Sequence, residues 1–264
     1  MKTTQQISQN AAGTRPEGVR DEREAAHHVQ RMFARIAPRY DFLNHFLSFS
    51  LDHLWRARTA RAFQHILQRP DARVLDLCCG TGDLAFALDR LRDKVLCYAA
   101  GARTSIAGAD FVEPMLMRAQ AKAYASQRRT MFLAADALAL PFPDASFDLV
   151  TSAFGFRNLA NYDSGLREIA RVLKAGGEAG ILEFSEPGSG VMAGAFRFYF
   201  HQILPRIGRA ISGSGDAYSY LPASVAKFPS PQELAERMGQ CDFTSAQFET
   251  WNFGSVVLHR ARRR

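Results

Sequence analysis

The stretch Val74-Leu75-Asp76-Leu77-Cys78-Cys79-Gly80-Thr81-Gly82-Asp83-Leu84 reads as an apolar strand that enters a glycine-bearing turn and opens a helix. Gly80 and Gly82 let the backbone approach a ligand closely, and the helix N-terminus beyond them favours an anionic group. Dinucleotide enzymes use the same turn, so alone it is weak. Asp76 at the strand end discriminates, because a carboxylate there repels a pyrophosphate and suits the α-ammonium of a methionine moiety. These charges select S-adenosylmethionine over NAD. The competing reading is that Asp76 caps the following helix, a role aspartate favours. Asp110, in Gly108-Ala109-Asp110-Phe111, ends a second strand and can accept both ribose hydroxyls. It lies 29 positions after Thr81 (110 − 81), where about 20 is usual, so an insertion is predicted at Lys94–Arg103, with Val95–Ala99 as a competing strand. Asp136, in Ala134-Ala135-Asp136-Ala137, stands where it would accept from the adenine amino group; a plain turn aspartate is the alternative.

A parallel sheet must stand behind these carboxylates, and the chain has its rhythm. From Pro70 onward, short apolar runs alternate with helical patterns: Arg73–Leu77, about Thr104–Asp110, Met131–Ala134, Phe147–Ala153 and Glu178–Phe184, with Met115–Ala125 and Tyr162–Leu173 among the helices. Such alternation means βαβ units, here with five parallel strands. Ser230-Pro231-Gln232-Glu233 is a capping box that opens a helix ending near Gly239. Two last strands, Phe243–Thr250 and Ser255–Arg260, flank Asn252-Phe253-Gly254, a turn short enough to force an antiparallel hairpin. Ahead of the sheet, Phe42, Leu43, Phe46, Leu47, Leu51, Leu54 and Trp55 form an amphipathic stripe, with Ser50 or Asp52 as a helix cap. The stripe fits helix packing on the sheet and a hydrophobic roof over a substrate equally well. The predicted fold is α/β: a Rossmann-like, mostly parallel seven-stranded sheet with a C-terminal antiparallel hairpin and an N-terminal helical cap. After a flexible tail at 1–20 comes one domain: cap 21–69, cofactor-binding core 70–185, substrate lid 186–228, closing helix and hairpin 229–264.

With 264 residues, 47% hydrophobic and 22% charged, the composition excludes a disordered or membrane-embedded chain. No apolar run reaches a membrane span, and the first twenty residues lack the apolar segment of a signal peptide. Cys78 and Cys79 are adjacent while Cys97 and Cys241 stand apart, which gives neither a disulfide framework nor a paired metal motif. The histidines lack ligand spacing, so no metal is expected, and a reducing cytoplasm fits best. A formal charge of +7 suggests an anionic partner, nucleic acid or membrane surface. Part of that charge is Arg260, Arg262, Arg263 and Arg264, which read as a solvated, frayed end.

With these residues in place, the chain resembles the ubiquinone/menaquinone biosynthesis C-methyltransferase family, on its demethylmenaquinone side. The resemblance runs from about Val29 to the C-terminus. It rests on Phe33 with Ile36-Ala37-Pro38-Arg39-Tyr40-Asp41-Phe42-Leu43-Asn44, Ser48 and Trp55; on Leu75-Asp76-Leu77 with Gly80-Thr81-Gly82-Asp83; and on Asp136 with Ala139-Leu140-Pro141-Phe142. Further blocks are Phe147-Asp148, Phe154-Gly155-Phe156-Arg157-Asn158, Arg171-Val172-Leu173-Lys174 and Leu182-Glu183-Phe184-Ser185. Departures are Ser50 and Ala175, where relatives have glycine and proline, and Ala153, where some have serine. The resemblance implies a class I methyltransferase that places the methionine end near Thr81, the ribose on Asp110, the adenine beside Asp136 and Ala137, and a backbone contact at Ala153.

The implied reaction carries a methyl group to a ring carbon of a reduced, prenylated quinone. Demethylmenaquinol is the first substrate to consider, and a ubiquinone-precursor benzoquinol the second. Arg157 and Asn158 are the candidates for holding the quinol oxygen, Arg157 by stabilising a phenolate because arginine stays protonated. A structural ion pair is the alternative for Arg157. Tyr40, Asp41 and Asn44 are assigned to the substrate side. Basic residues of the cap would hold the protein peripherally on anionic lipid at the inner face of the membrane. Two rivals differ in class: an RNA methyltransferase, disfavoured because Phe42, Phe46, Phe49 and Trp55 lack interleaved lysines, and a catalytically silent cofactor-binding partner of quinone-pathway proteins. No nucleic acid is therefore expected as a partner, while a homodimer is compatible with the sequence.

Overall fold

Val74 pairs with Ile106 on one side and Leu149 on the other, which puts β1 (Arg73–Leu77) in the middle of a sheet. The computed structural model describes residues 13–16, 18–96, 104–188, 194, 197–199, 202 and 216–264. Around β1 lie β2 (Ser105–Asp110), β3 (Met131–Ala134), β4 (Phe147–Ala153), β5 (Leu173–Phe184), β6 (Phe243–Trp251) and β7 (Val256–Arg263), in the order β3-β2-β1-β4-β5-β7-β6. The first five pair in parallel, and β7 joins β5 and β6 antiparallel. Strand order reverses at β1, so the carboxyl ends of β1, β2 and β4 frame the crevice where such sheets bind ligands.

Alternation along β1 assigns its side chains. Leu75 and Leu77 enter the core on one face, with Phe156, Tyr162 and Leu166; Val74 enters the other, with Phe63, Leu84 and Leu88. Residues two apart share a face, so Asp76 goes with Val74, toward helix α5 (Asp83–Val95). The helices before it are α1 (Glu22–Ile36), α2 (Tyr40–Leu47), α3 (Leu51–Ala62) and α4 (Gln64–Leu67). After it come α6 (Glu113–Ala125), α7 (Tyr162–Val172), α8 (Asp216–Lys227) and α9 (Pro231–Gln240). The capping box is present at α9, with Ser230 and Glu233 bonded reciprocally.

Several expectations change. Ser50 precedes α3 with φ 60° and no side-chain cap, and Asp52 bonds Ser48 and His45 instead of capping. That left-handed backbone is one that glycine adopts without strain. Val95 ends a helix rather than starting a strand, and residues 97–103 of the expected insertion lie outside the described residues. Of the expected tail, residues 1–12 also lie outside them, but Thr14 is 4% exposed and its N–H donates to Leu159 O at 2.8 Å. Of the expected lid, residues 189–193, 195–196, 200–201 and 203–215 are likewise outside. The C-terminal arginines do not fray: Arg260 and Arg262 stand in β7, and Arg263 donates to the carbonyls of Leu173 and Arg171.

The stripe divides as well. Trp55 is 4% exposed and packs against Phe154 and Phe184, whereas Phe42, Phe46 and Leu54 are exposed. Those outer residues therefore serve neither as core nor as a closed roof. No helix among the described residues is long and apolar enough to cross a membrane.

Candidate active site

A cleft partly open to solvent lies beyond the carboxyl ends of β1 and β2. It gathers Gly80, Asp110, Asp136 and Ala137 from the predicted cofactor set, Tyr40 from the substrate set and Asn158 from the catalytic pair. Val29, Phe33, Phe111, Met115 and Leu159 are among its apolar walls. Sequence reasoning missed these, because periodicity says that a side chain is buried but not which surface it covers. Phe111, directly after Asp110, is the one that adjacency signals.

Asp110 ends β2 with its carboxylate in the cleft. Oδ2 accepts from the Gly80 N–H at 2.8 Å and Oδ1 from the Val112 N–H at 2.8 Å. Each oxygen keeps a lone pair, so the group can still take a vicinal pair of hydroxyls. Burial raises its pKa above the usual carboxylate range, against the pull of those N–H bonds. Gly80 has φ +54°, and a β-carbon there would meet the Tyr40 ring at 3.9 Å. Asp136 is exposed at the rim, where Oδ1 accepts from the Leu138 N–H at 2.9 Å, so it is a turn aspartate that also borders the cleft. A ribose acceptor, a glycine approach and a shallow rim beside Ala137 together fit S-adenosylmethionine.

Asp76 corrects the first expectation. It is 1% exposed; Oδ2 accepts from the Ala85 N–H at 3.0 Å and Oδ1 from the Thr151 hydroxyl at 3.0 Å. Desolvation lifts its pKa to about 7. It therefore caps α5 and ties β1 to β4, and it is not among the residues that line the cleft. Gly82 serves the same junction: it stands before α5 with φ +85°, and a β-carbon there would come within 2.8 Å of the Phe132 ring.

Thr81 and Asp41 also stand apart from the cleft, bonded to each other. The Thr81 hydroxyl donates to Asp41 Oδ1 at 2.5 Å, and Lys122 Nζ lies 3.0 Å from Thr81 Oγ1, 2.8 Å from Asp41 Oδ2 and 2.8 Å from Asp83 Oδ1. The network continues through Arg56, 3.7 Å from Asp83 Oδ2, to Asp52, which also bonds His45 Nδ1. Burial would raise Asp52, but Arg56 and Ser48 outweigh it and hold its pKa down to about 2. His45, Asp52 and His53 have ligand atoms within 4.8 Å of one another. Asp52 Oδ2, however, already takes both His45 Nδ1 and the Arg56 guanidinium, a poor site for a further cation.

Asn44 hydrogen-bonds Tyr40 rather than bordering the cleft, and burial raises the Tyr40 pKa so that its phenol stays protonated. Ala153 is replaced at the cleft wall by the next residues, Phe154 and Gly155. Arg157 takes the structural alternative. Its Nη1 donates to Glu183 Oε2 at 2.9 Å, its Nε to Ser224 Oγ at 3.3 Å, and its guanidinium lies 5.6 Å from the centre of the Phe184 ring. At 5% exposed it pins the turn that carries Asn158, whose Oδ1 accepts from the Tyr220 hydroxyl at 3.0 Å. What Asn158 keeps for the cleft is its amide N–H donors.

The sheet order and the cleft define a class I, S-adenosylmethionine-dependent methyltransferase. Solved structures share this fold: a SAM-dependent methyltransferase from Thermotoga maritima at TM-score 0.60 and 18% identity, covering 89% of this chain and 99% of that one, and another from Aquifex aeolicus at 0.51 and 17%, covering 73% and 82%. The model of the ubiE/COQ5 methyltransferase family matches residues 19–263, and the chain belongs to that family. Similar relatives are the demethylmenaquinone methyltransferases of Deinococcus radiodurans, 46% identical over 89% of this chain and 92% of that one, and of Thermus thermophilus, 47% over 86% and 98%. The ubiquinone/menaquinone biosynthesis C-methyltransferase UbiE of Geobacter sulfurreducens is 40% identical over 89% and 88%.

Proposed function

We propose that the protein methylates a ring carbon of a reduced, prenylated quinone, with demethylmenaquinol as its substrate. The observation that carries the reading is the composition of the cleft: Asp110 and Gly80 on one side, and Val29, Phe33, Phe111, Met115 and Leu159 around the rest. Such walls suit an apolar ring and tail, and the similarity to two demethylmenaquinone methyltransferases supports the naphthoquinol. The UbiE relative favours a benzoquinol as the second substrate.

Asp110, Gly80 and the 136–137 rim would hold S-adenosylmethionine, which when bound would supply an electrophilic methyl group. The protein's part is mainly orientation, worth up to about 7–11 kcal/mol, against an acid–base contribution of about 10²–10⁴-fold. Tyr40, kept protonated, and the Asn158 amide donate hydrogen bonds to a quinol oxygen and stabilise charge on it as electron density moves to the ring. Net, the ring C–H is exchanged for C–CH₃ and one proton is released. Arg157 acts at a distance, holding Asn158 in place and lowering the Tyr40 pKa against burial.

The test is methylation with labelled cofactor of both quinols, alongside Asp110→Ala calorimetry. Labelled menaquinol, with no cofactor heat in the variant, is expected. Product from neither quinol would end the substrate assignment, and unchanged cofactor affinity the ribose assignment.

A further inference from the structure

Phe42, Phe46, Phe49 and Leu54, on α2, α3 and the turn between them, are 60, 50, 73 and 48% exposed. Phe42 and Phe46 stack at 5.9 Å, and Phe49 lies 5.6 Å from Tyr199, whose neighbour Phe198 is also exposed. A soluble surface rarely shows this much contiguous apolar area without a use. Phe49 and Ser50 both have left-handed backbone, φ 52° and 60°. That geometry is costly for a bulky residue, and it holds the most exposed phenylalanine of the group outward.

Charge decides what covers the face. Between Ala25 and Ala62 the acidic residues are Asp41 and Asp52, and both are turned inward, onto Lys122 and Thr81 and onto Arg56 and Ser48. The cations Arg31, Arg35, Arg58 and Arg61 of the same stretch stay exposed. On α3, Leu51, Leu54, Arg58 and Arg61 follow i, i+3, i+7, i+10 spacing, so its outer side passes from apolar to basic within two turns. A second copy meeting this face would bring cation against cation. A nucleic-acid platform would set its cations between the rings, whereas here they lie beyond them.

We propose that the outer face of α2 and α3 docks on an anionic lipid bilayer, its phenylalanines in the acyl boundary and its arginines at the headgroups. Tyr40, the first residue of α2, lines the cleft, so docking sets the cleft rim beside the lipid. The advantage to a prenylated substrate rests on the function proposed above; the docking itself does not.

Sedimentation of the full chain with vesicles tests this. Wild type is expected to bind phosphatidylcholine–phosphatidylglycerol vesicles, more weakly at high salt and more weakly on phosphatidylcholine alone. Phe42→Ser/Phe46→Ser/Phe49→Ser, with an unchanged melting temperature, is expected to lose about tenfold or more in partitioning. Arg58→Gln/Arg61→Gln is expected to lose the preference for the anionic mixture. On a tail-less quinol the phenylalanine variant keeps its kcat/KM; on a long-tailed quinol in vesicles it falls. Equal binding of wild type and the phenylalanine variant overturns docking, as does absence of wild-type binding, or a change of oligomeric state or loss of single-stranded RNA binding in that variant without loss of lipid. Should neither quinol be methylated while vesicle binding follows this pattern, docking stands and the function proposed above falls.

Discussion

The Thr81 hydroxyl donates to Asp41 Oδ1 at 2.5 Å, joining the glycine turn to the first turn of α2 across 40 positions of chain. Lys122 sits against both, so three elements meet at one ammonium. Removing Asp41 leaves the Thr81 hydroxyl proton without its acceptor and Lys122 on Thr81 and Asp83. Asp41→Ala is expected to weaken cofactor binding about tenfold, the effect of about 1.4 kcal/mol, with kcat falling less. Calorimetry beside steady-state kinetics checks this; an unchanged dissociation constant would show that the latch does not shape the site.

Asp76 has a native pKa near 7, above its unfolded value, because burial disfavours the carboxylate. The native state therefore holds the proton more tightly, and the stability this contributes is full below about pH 4 and is lost as pH rises through 7. Asparagine keeps an acceptor for Ala85 N–H and a partner for Thr151. Asp76→Asn is expected to melt with wild type at pH 4 and above it at pH 8, while still binding cofactor. Parallel melting curves at both pH values would refute this account.

Arg157 and Glu183 are both buried and paired. Leaving one charge alone costs about 3–5 kcal/mol, so Arg157→Ala is expected to lose most of its stability, and its low activity would say little about chemistry. Arg157→Met/Glu183→Leu is expected to restore the fold. If that folded double variant keeps wild-type turnover, Arg157 has no part even in positioning Asn158.

Ser50 holds left-handed backbone at a cost of about 1–2 kcal/mol for a residue with a β-carbon. Ser50→Gly relieves it, and a rise in Tm of about 2–4 °C per kcal/mol is expected from calorimetric scans. A lower Tm would mean that the unfolded-state entropy added by glycine exceeds the strain removed.

Strand and helix order could be read from the chain because periodicity and turn chemistry are local. The runs Arg73–Leu77, Met131–Ala134 and Phe147–Ala153 coincide with β1, β3 and β4, and the Ser230–Glu233 box opens α9. That Asp110 ends a strand at the cleft was legible for the same reason, as the polar end of an apolar strand beside a glycine turn. Asp76 was not, although it is also such an end. Its role turns on which face of β1 it occupies and on Ala85 and Thr151 arriving there, nine and 75 positions away. Arg157 depended likewise on Glu183 and Ser224, and the exposure of Phe42 and Phe46 on which of the described residues pack against them. The sequence by itself determined the sheet, its hairpin and the residue types at the strand ends. Only the tertiary structure decided which of those side chains face the cleft and which are consumed by internal partners, because a hydrogen bond between distant residues leaves no mark on the spacing of either.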